Sequence, residues 1–326
     1  MIVPRNRVEL LKYALQAAFI LITLIFVVLY LSSQLDRIRS HVWQANIGLL
    51  ILAQLFFAAG YAIFPLAPYL ILKYLGQPLP KSRVWQIYYA STLMKYLPGS
   101  VWSLPGRVFL YQRAGIPSQK GTSSLFWELM LMVGSGMFVS LLCARLMIHY
   151  LPIPVVLLGS LIFIVGFPAL LFGLRSERLY QSASRIRLLR PVVEIVAAPS
   201  NRLTQSQMFT IIGVFLISWL ILGIGFTLLI DAFEPGVTLI HSLEFTGLFA
   251  GAWVAGFVVI FSPGGIGIRE GLLGLGLAVV LNDPLPILIA IVSRILWTIA
   301  EIMGLSTIWL YQSYKRRTNM NAINVN

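Results

Sequence analysis

Two interruptions of otherwise apolar stretches gather this sequence's chemically capable residues. The first is Pro98-Gly99-Ser100, with Lys95 before it, Arg107 after it and Glu128 in the next apolar stretch. The second is Pro263-Gly264-Gly265, followed by Arg269-Glu270 and then by Arg294 and Glu301. If these stretches lie in a bilayer, an ionised side chain at mid-depth costs at least ~2.5 kcal/mol, so such residues face an interior or a cavity and find partners. A backbone break there also leaves amides and carbonyls unpaired, and it persists only where protein or a water-filled cavity satisfies them. Helices restarting through Val101 and Trp102, and through Ile266, would point amide-rich N-termini inward and attract anions such as phosphate. The expected chemistry is recognition of a phosphate-bearing group by cations and amides, with carboxylates nearby to balance them.

The residue types sharpen this. Arg294 and Glu301 stand seven apart, two turns on one helix face, which suits lining a common surface without pairing directly. Glu128 and Glu301 have short stems that cannot easily reach a headgroup layer, whereas Arg113, Arg145 and Glu9 read as interfacial and Lys95 and Arg107 could also snorkel. Trp85, Tyr88, Tyr89, Trp102 and Tyr111 read as interfacial anchors. Trp102, directly after the break, could instead pack under a substrate. His41, His149 and His241 lie apart without ligand spacing, so no metal is expected. The string Gly265-Ile266-Gly267-Ile268-Arg269-Glu270-Gly271 has Glu270 where a dinucleotide loop needs its third glycine and follows no strand. No cofactor and no catalytic residue are expected.

Composition supplies the solvent for these breaks. Of 326 residues 58% are hydrophobic and 11% charged, and the mean hydropathy is +0.86. A soluble domain of that size cannot hide so much apolar surface. The net charge of +13 sits between apolar stretches, which reads as membrane topology and contact with anionic membrane lipids, not as nucleic-acid binding. The single cysteine, Cys143, lies in an apolar run, so neither a disulfide nor a cysteine metal site is available.

Stretches long enough for a ~30 Å hydrocarbon core lie at Leu11–Leu31, Ile47–Leu72, Thr122–Ile148, Ile153–Leu174, Met208–Ile230 and Pro286–Tyr311. The first is too long for a signal peptide and reads as a retained helix. Between them, 84–113 and 241–281 are hairpins broken at the two Pro-Gly sites. The expected fold is an all-α polytopic membrane protein: six full transmembrane helices plus two broken or re-entrant helical hairpins, or eight spans. The arginine-rich loop within 175–207, with Arg5, Arg7 and Lys315-Arg316-Arg317, should be cytoplasmic. Both termini would then face the cytoplasm of a prokaryotic inner membrane. The order of elements in 1–150 recurs upside down in 151–326 within one membrane domain, an inverted-topology repeat of the transporter kind.

The strings Lys95-Tyr96-Leu97-Pro98-Gly99-Ser100-Val101-Trp102 with Gly106-Arg107, and Ser262-Pro263-Gly264-Gly265-Ile266-Gly267-Ile268-Arg269-Glu270-Gly271, resemble the lysylphosphatidylglycerol synthase transmembrane-region family. Glu128 sits where such proteins tend to carry an acidic residue. The resemblance implies a flippase-type membrane unit, with Arg107, Glu128, Arg269 and Glu270 carried over as functional. Because the chain ends soon after its last span, the soluble synthase domain of the best-known members is not expected.

The expected substrate contacts are Lys95, Ser100, Trp102, Arg107 and Glu128 at the first break, and Gly264, Gly265, Arg269, Glu270, Arg294 and Glu301 at the second. The expected function is transfer of a phospholipid or polyprenyl-phosphate-linked substrate between leaflets, by one chain, a homodimer, or a complex with an envelope-biosynthesis partner. Two other readings fit the residues less well. One is a membrane-embedded transferase on lipid-linked sugars with Glu128 as base, for which no acid-rich extracytoplasmic loop is present. The other is a non-transporting subunit of envelope-glycan assembly.

Overall fold

Long apolar stretches without internal Pro-Gly pairs give long helices, and helices dominate the described residues. The computed structural model describes residues 45–94, 103–143, 148–149, 201–236, 238–259, 265 and 267–323. The expected spans Leu11–Leu31 and Ile153–Leu174, and the basic loop from Arg175 to Arg190, lie outside them. So do Lys95, Ser100, Trp102 and Gly264.

The described helices are α1 (Ile47–Ile63), α2 (Leu66–Tyr74), α3 (Lys81–Leu93), α4 (Ser103–Arg113), α5 (Ser118–Ser140), α6 (Gln205–Asp231), α7 (Thr238–Val258), α8 (Ile268–Leu277) and α9 (Leu285–Ile323). Among the described residues four segments are long and apolar enough to cross a membrane: Ile47–Tyr74, Ser118–Cys143, Gln205–Asp231 and Leu285–Tyr311. They match four of the expected spans, with ends shifted by a few residues. Between 28% and 56% of each span's apolar window is buried inside the protein, so the remaining faces must meet lipid. Ile47, Ile51 and Leu55 on α1 and Ile217, Leu220 and Ile224 on α6 supply such faces. The chain is thus a multi-pass membrane protein, and no strand occurs among its described residues.

Local signals set the helix ends. Asn46 caps α1 by accepting from the Leu49 amide at 3.2 Å, and its own N–H donates to the Ala232 carbonyl beyond α6 at 2.8 Å. Thr204 and Gln207 form a reciprocal capping box at the start of α6. Pro65 separates α1 from α2 inside one span, because proline removes an amide donor and crowds the preceding turn. The bend turns Phe64 inward, where its ring meets Phe215 and Trp219.

With lipid as solvent, helices associate by close packing and small residues. The spans α1 and α6 form the central crossing, and a Cβ on Gly60 of α1 would meet Leu222 of α6 at 2.7 Å. Around that crossing the contacts pair off. Helix α3, before the first Pro-Gly site, packs on α9, and α7, before the second, packs on α5; α4 and α8, after those sites, pack on the spans that follow them, α5 and α9. At the α3–α9 crossing Gly304 lies under the Tyr89 ring, and a Cβ there would stand 2.6 Å from that ring.

Candidate functional site

The first cluster is built by three helices. Tyr88, Ser91 and Thr92 are one turn apart on one face of α3, Arg107 comes from α4 and Glu128 from α5. Arg107 Nη1 donates to Glu128 Oε1 at 2.5 Å, Nε to Ser91 Oγ at 2.7 Å and Nη2 to Thr92 Oγ1 at 3.2 Å. Both hydroxyls pass their own hydrogens to the Tyr88 carbonyl. The guanidinium lies over the Tyr88 ring, 4.3 Å from its centroid. Arg107 and Glu128 are only 5% and 2% exposed, so neither reaches the headgroup layer, and each is the condition for burying the other. Glu128 Oε2, by contrast, is buried without a hydrogen-bond partner.

The second cluster takes Trp253 and Gly256 from α7, Arg269 and Glu270 from α8, and Arg294, Trp297 and Glu301 from one face of α9. Its geometry begins at the break. Gly265 and Gly267 both have positive φ, +75° and +86°, which a side chain would strain. Helix α8 therefore starts at Ile268, two residues later than the expected restart at Ile266. A Cβ on Gly265 would also sit 2.9 Å from the Gly256 backbone, while a Cβ on Gly256 would meet Arg269 Cγ at 2.5 Å. Two glycines thus let the backbone at Gly265 lie directly on α7 and leave room for the Arg269 stem.

Arg269 is held by ring faces, 4.6 Å from the Trp253 centroid and 5.9 Å from that of Trp297. Glu270 Oε2 accepts from the Gly267 amide at 2.7 Å and its Oε1 accepts from Arg294 Nη1 at 3.3 Å. The second break was expected to leave its amides facing a ligand, but the Gly267 amide is taken by the chain's own carboxylate. Glu301, 1% exposed, accepts from Trp297 Nε1 at 2.6 Å.

A cavity of ≈ 370 Å³ joins the two clusters. Arg107 and Glu128 border it from the first half, Arg269, Gly265 and Glu301 from the second, and Tyr61, Thr92, Trp253 and Trp297 complete its polar and aromatic wall. A chamber of ≈ 20 Å³, about one water in size, lies beyond Arg269, Trp253 and Trp297 and is bordered by Glu270, Ser293 and Arg294.

Five of the expected substrate contacts, Arg107, Glu128, Gly265, Arg269 and Glu301, thus meet at one cavity. The pair expected on a common surface does not: Glu301 borders the large cavity, whereas Arg294 turns to Glu270 in the small chamber, because the bulk of Trp297 lies between them. The interfacial reading of Tyr88, Tyr89 and Tyr111 is also corrected, since all three are buried, at 6%, 3% and 0% exposure. Arg113 is exposed, as its interfacial reading requires. His241 pairs with Glu244 at 2.5 Å, and no cluster of three metal-ligating side chains occurs among the described residues.

Tyr61, Trp253 and Trp297 escaped sequence reasoning because an aromatic residue in an apolar helix has the same pattern whether it packs a core or walls a cavity. The one available signal was spacing, Trp297 lying midway between Arg294 and Glu301.

The lysylphosphatidylglycerol synthase TM region, as a family model, matches residues 15–303, and the chain belongs to that family. Comparison with curated proteins finds no significant match.

Proposed function

We propose that this member of the family is a lipid transporter of the cytoplasmic membrane, moving a phosphate-bearing lipid between leaflets. The observation that carries the reading is the shared cavity. Buried ionisable groups from both broken segments border one space of ≈ 370 Å³ within a protein surrounded by lipid, and such groups are retained where a polar substrate crosses. Arg269 supplies the phosphate-facing charge, its guanidinium poised on two indoles. Glu301 balances that charge when the site is empty. Arg107, with each of its three nitrogens already donating, acts as a fixed strut that holds Glu128 at the wall.

In this reading six spans and two re-entrant hairpins form an inverted repeat with both termini cytoplasmic, and the halves rock about the α1–α6 crossing while lipid tails stay outside. The reciprocal packing, α3 on α9 and α7 on α5, supports a repeat. The full chain reconstituted in vesicles should move a labelled phospholipid between leaflets, and Arg269→Ala should reduce that rate at least tenfold with folding intact. Equal transfer by wild type, Arg269→Ala and protein-free vesicles would remove the assignment. For topology, a single cysteine at Ser100 in a Cys143→Ser background should be shielded from an impermeant thiol reagent on the face opposite Gly76. Full labelling from that face would make the hairpin two spans.

A further inference from the structure

One end of the helical bundle carries charge of a single sign. Trp127 Nε1 donates to the Asn201 carbonyl at 2.9 Å, which sets the start of α5 beside the start of α6. Because the Asn46 amide donates to the Ala232 carbonyl, α1 begins where α6 ends, and α2 therefore closes at the same end as those two starts. The start of α3 and the end of α4 join them through a small apolar cluster, apart from the main core, of Leu72, Val84, Ile87, Tyr111 and Ile116. This end carries Lys73, Lys81, Arg83, Arg113, Lys120 and Arg202, and no Asp or Glu occurs there among the described residues. The opposite end, where α6 closes and α7 begins, carries Asp231, Glu234 and Glu244, with no Lys or Arg there among the described residues.

Helix polarity does not account for this pattern. Lys73 and Arg113 close α2 and α4, where a cation suits the helix dipole. Lys81 and Arg83 fall in the first turn of α3, and Lys120 in that of α5, where the dipole disfavours them. Both of those helices begin after a proline, with no side-chain cap and no acidic residue in the first turn. The sign of the charge thus follows the end of the molecule and not the direction of the helix. Cations set against the dipole in two neighbouring helices are a local cost that an anion outside the chain would offset.

The surroundings of these cations say which kind of anion. Lys73, Lys81, Arg83 and Arg113 are exposed, and their neighbours are neutral. Arg83 donates to Gln86 Oε1 at 2.8 Å, Lys81 lies 5.6 Å over the Tyr69 ring and Arg113 lies 4.7 Å over the Phe109 ring. Phe109 is itself 50% exposed. A soluble anion would leave that ring in water, whereas a lipid covers both parts, acyl chain against the ring and headgroup against the guanidinium. Lys73 and Lys120 also stand in the end turns of two membrane spans, at the level of a headgroup layer.

We propose that this end of the bundle is a docking surface for anionic lipid headgroups, separate from the cavity and independent of what the cavity carries. The headgroups of one leaflet meet cations from α2, α3, α4 and α5 together, and the acidic opposite end confines that preference to one leaflet.

The test places the full chain in nanodiscs of equal phosphatidylcholine, phosphatidylserine and phosphatidylglycerol with identical acyl chains, and retained lipid is read by native mass spectrometry. Both anionic lipids should be retained about fivefold over phosphatidylcholine at low salt. The preference should fall to about twofold or less in about 0.5 M potassium chloride, because exposed charges are screened. The combined variant Lys73→Gln, Lys81→Gln, Arg83→Gln and Arg113→Gln should lose it. The charge-conserving set, Lys73→Arg, Lys81→Arg, Arg83→Lys and Arg113→Lys, should keep it, and so should Arg269→Ala. Wild-type protein with no anionic preference, or with one that salt leaves unmoved, overturns the inference whether or not the variants fold. A preference lost in Arg269→Ala and kept in the glutamine variant moves the anionic lipid into the cavity, so that the docking surface falls and the phosphate-lipid reading stands. A preference lost in the glutamine variant alone, in a protein that transfers no lipid, keeps the surface and removes the transporter. Displacement of the anionic lipids by soluble polyglutamate at equal charge assigns this end to an acidic protein and overturns the inference.

Discussion

The two broken segments solve one electrostatic problem in opposite ways. In each, an ion pair ties the arm after the break to the span that follows it. In the first the cation is on the arm and the anion on the span, Arg107 to Glu128, and in the second the order is reversed, Glu270 to Arg294. The first pair is 2.5 Å long with side chains 6% and 3% exposed; the second is 3.3 Å long with side chains 18% and 15% exposed. The first cluster is therefore a closed network, each nitrogen of Arg107 committed to a bonded neighbour. The second divides its work, since Glu270 and Arg294 hold the break while Arg269 lies on indole faces. The second pair is thus the looser and more exposed of the two.

That contrast can be broken by experiment. The largest effect should come from Glu128→Ala, which strands Arg107 in a buried site. Removing one partner of a buried pair costs about 3–5 kcal/mol, read as a large drop in thermal stability in detergent, and Arg107→Met with Glu128→Leu together should recover much of it. Gly265→Ala should come next, at about 2 kcal/mol, because φ is +75° and the new Cβ would press on the Gly256 backbone. Trp253→Leu should cost about 1–2 kcal/mol through the lost contact with Arg269 and should slow lipid transfer more than it lowers stability. Arg294→Ala should cost least, about 1 kcal/mol or below, because its pair is longer and partly exposed. A double-mutant cycle giving Glu270–Arg294 the larger coupling would reverse the comparison.

Four of the spans were legible in the sequence, for a physical reason. Lipid demands long unbroken apolar runs, so Pro98-Gly99 and Pro263-Gly264-Gly265 stand out, and Ile47–Tyr74 or Gln205–Asp231 could be bounded to within a few residues. Which buried charges pair could not be read, because that depends on how each helix is rotated about its axis. Arg294 and Glu301 share a face of α9, yet the bulk of Trp297 sends them to different chambers. Tyr88 and Tyr89 illustrate the same limit: an amphipathic ring near a break suits a headgroup belt and a cavity wall equally, and only the packing of α3 on α9 decides. The two positive-φ glycines and the Glu270 cap were hidden for another reason, since a Gly-rich string admits several turn geometries.

The Gly304 crossing adds a mechanical consequence. Where two ridged surfaces interlock, sliding must lift one over the other; here the phenol of Tyr89 rests on bare backbone, with no methyl on Gly304 to catch it. This contact joins α3 to α9, so in the proposed transport cycle it would serve as a smooth bearing at the seam between the two moving parts. A methyl placed there would act as a detent.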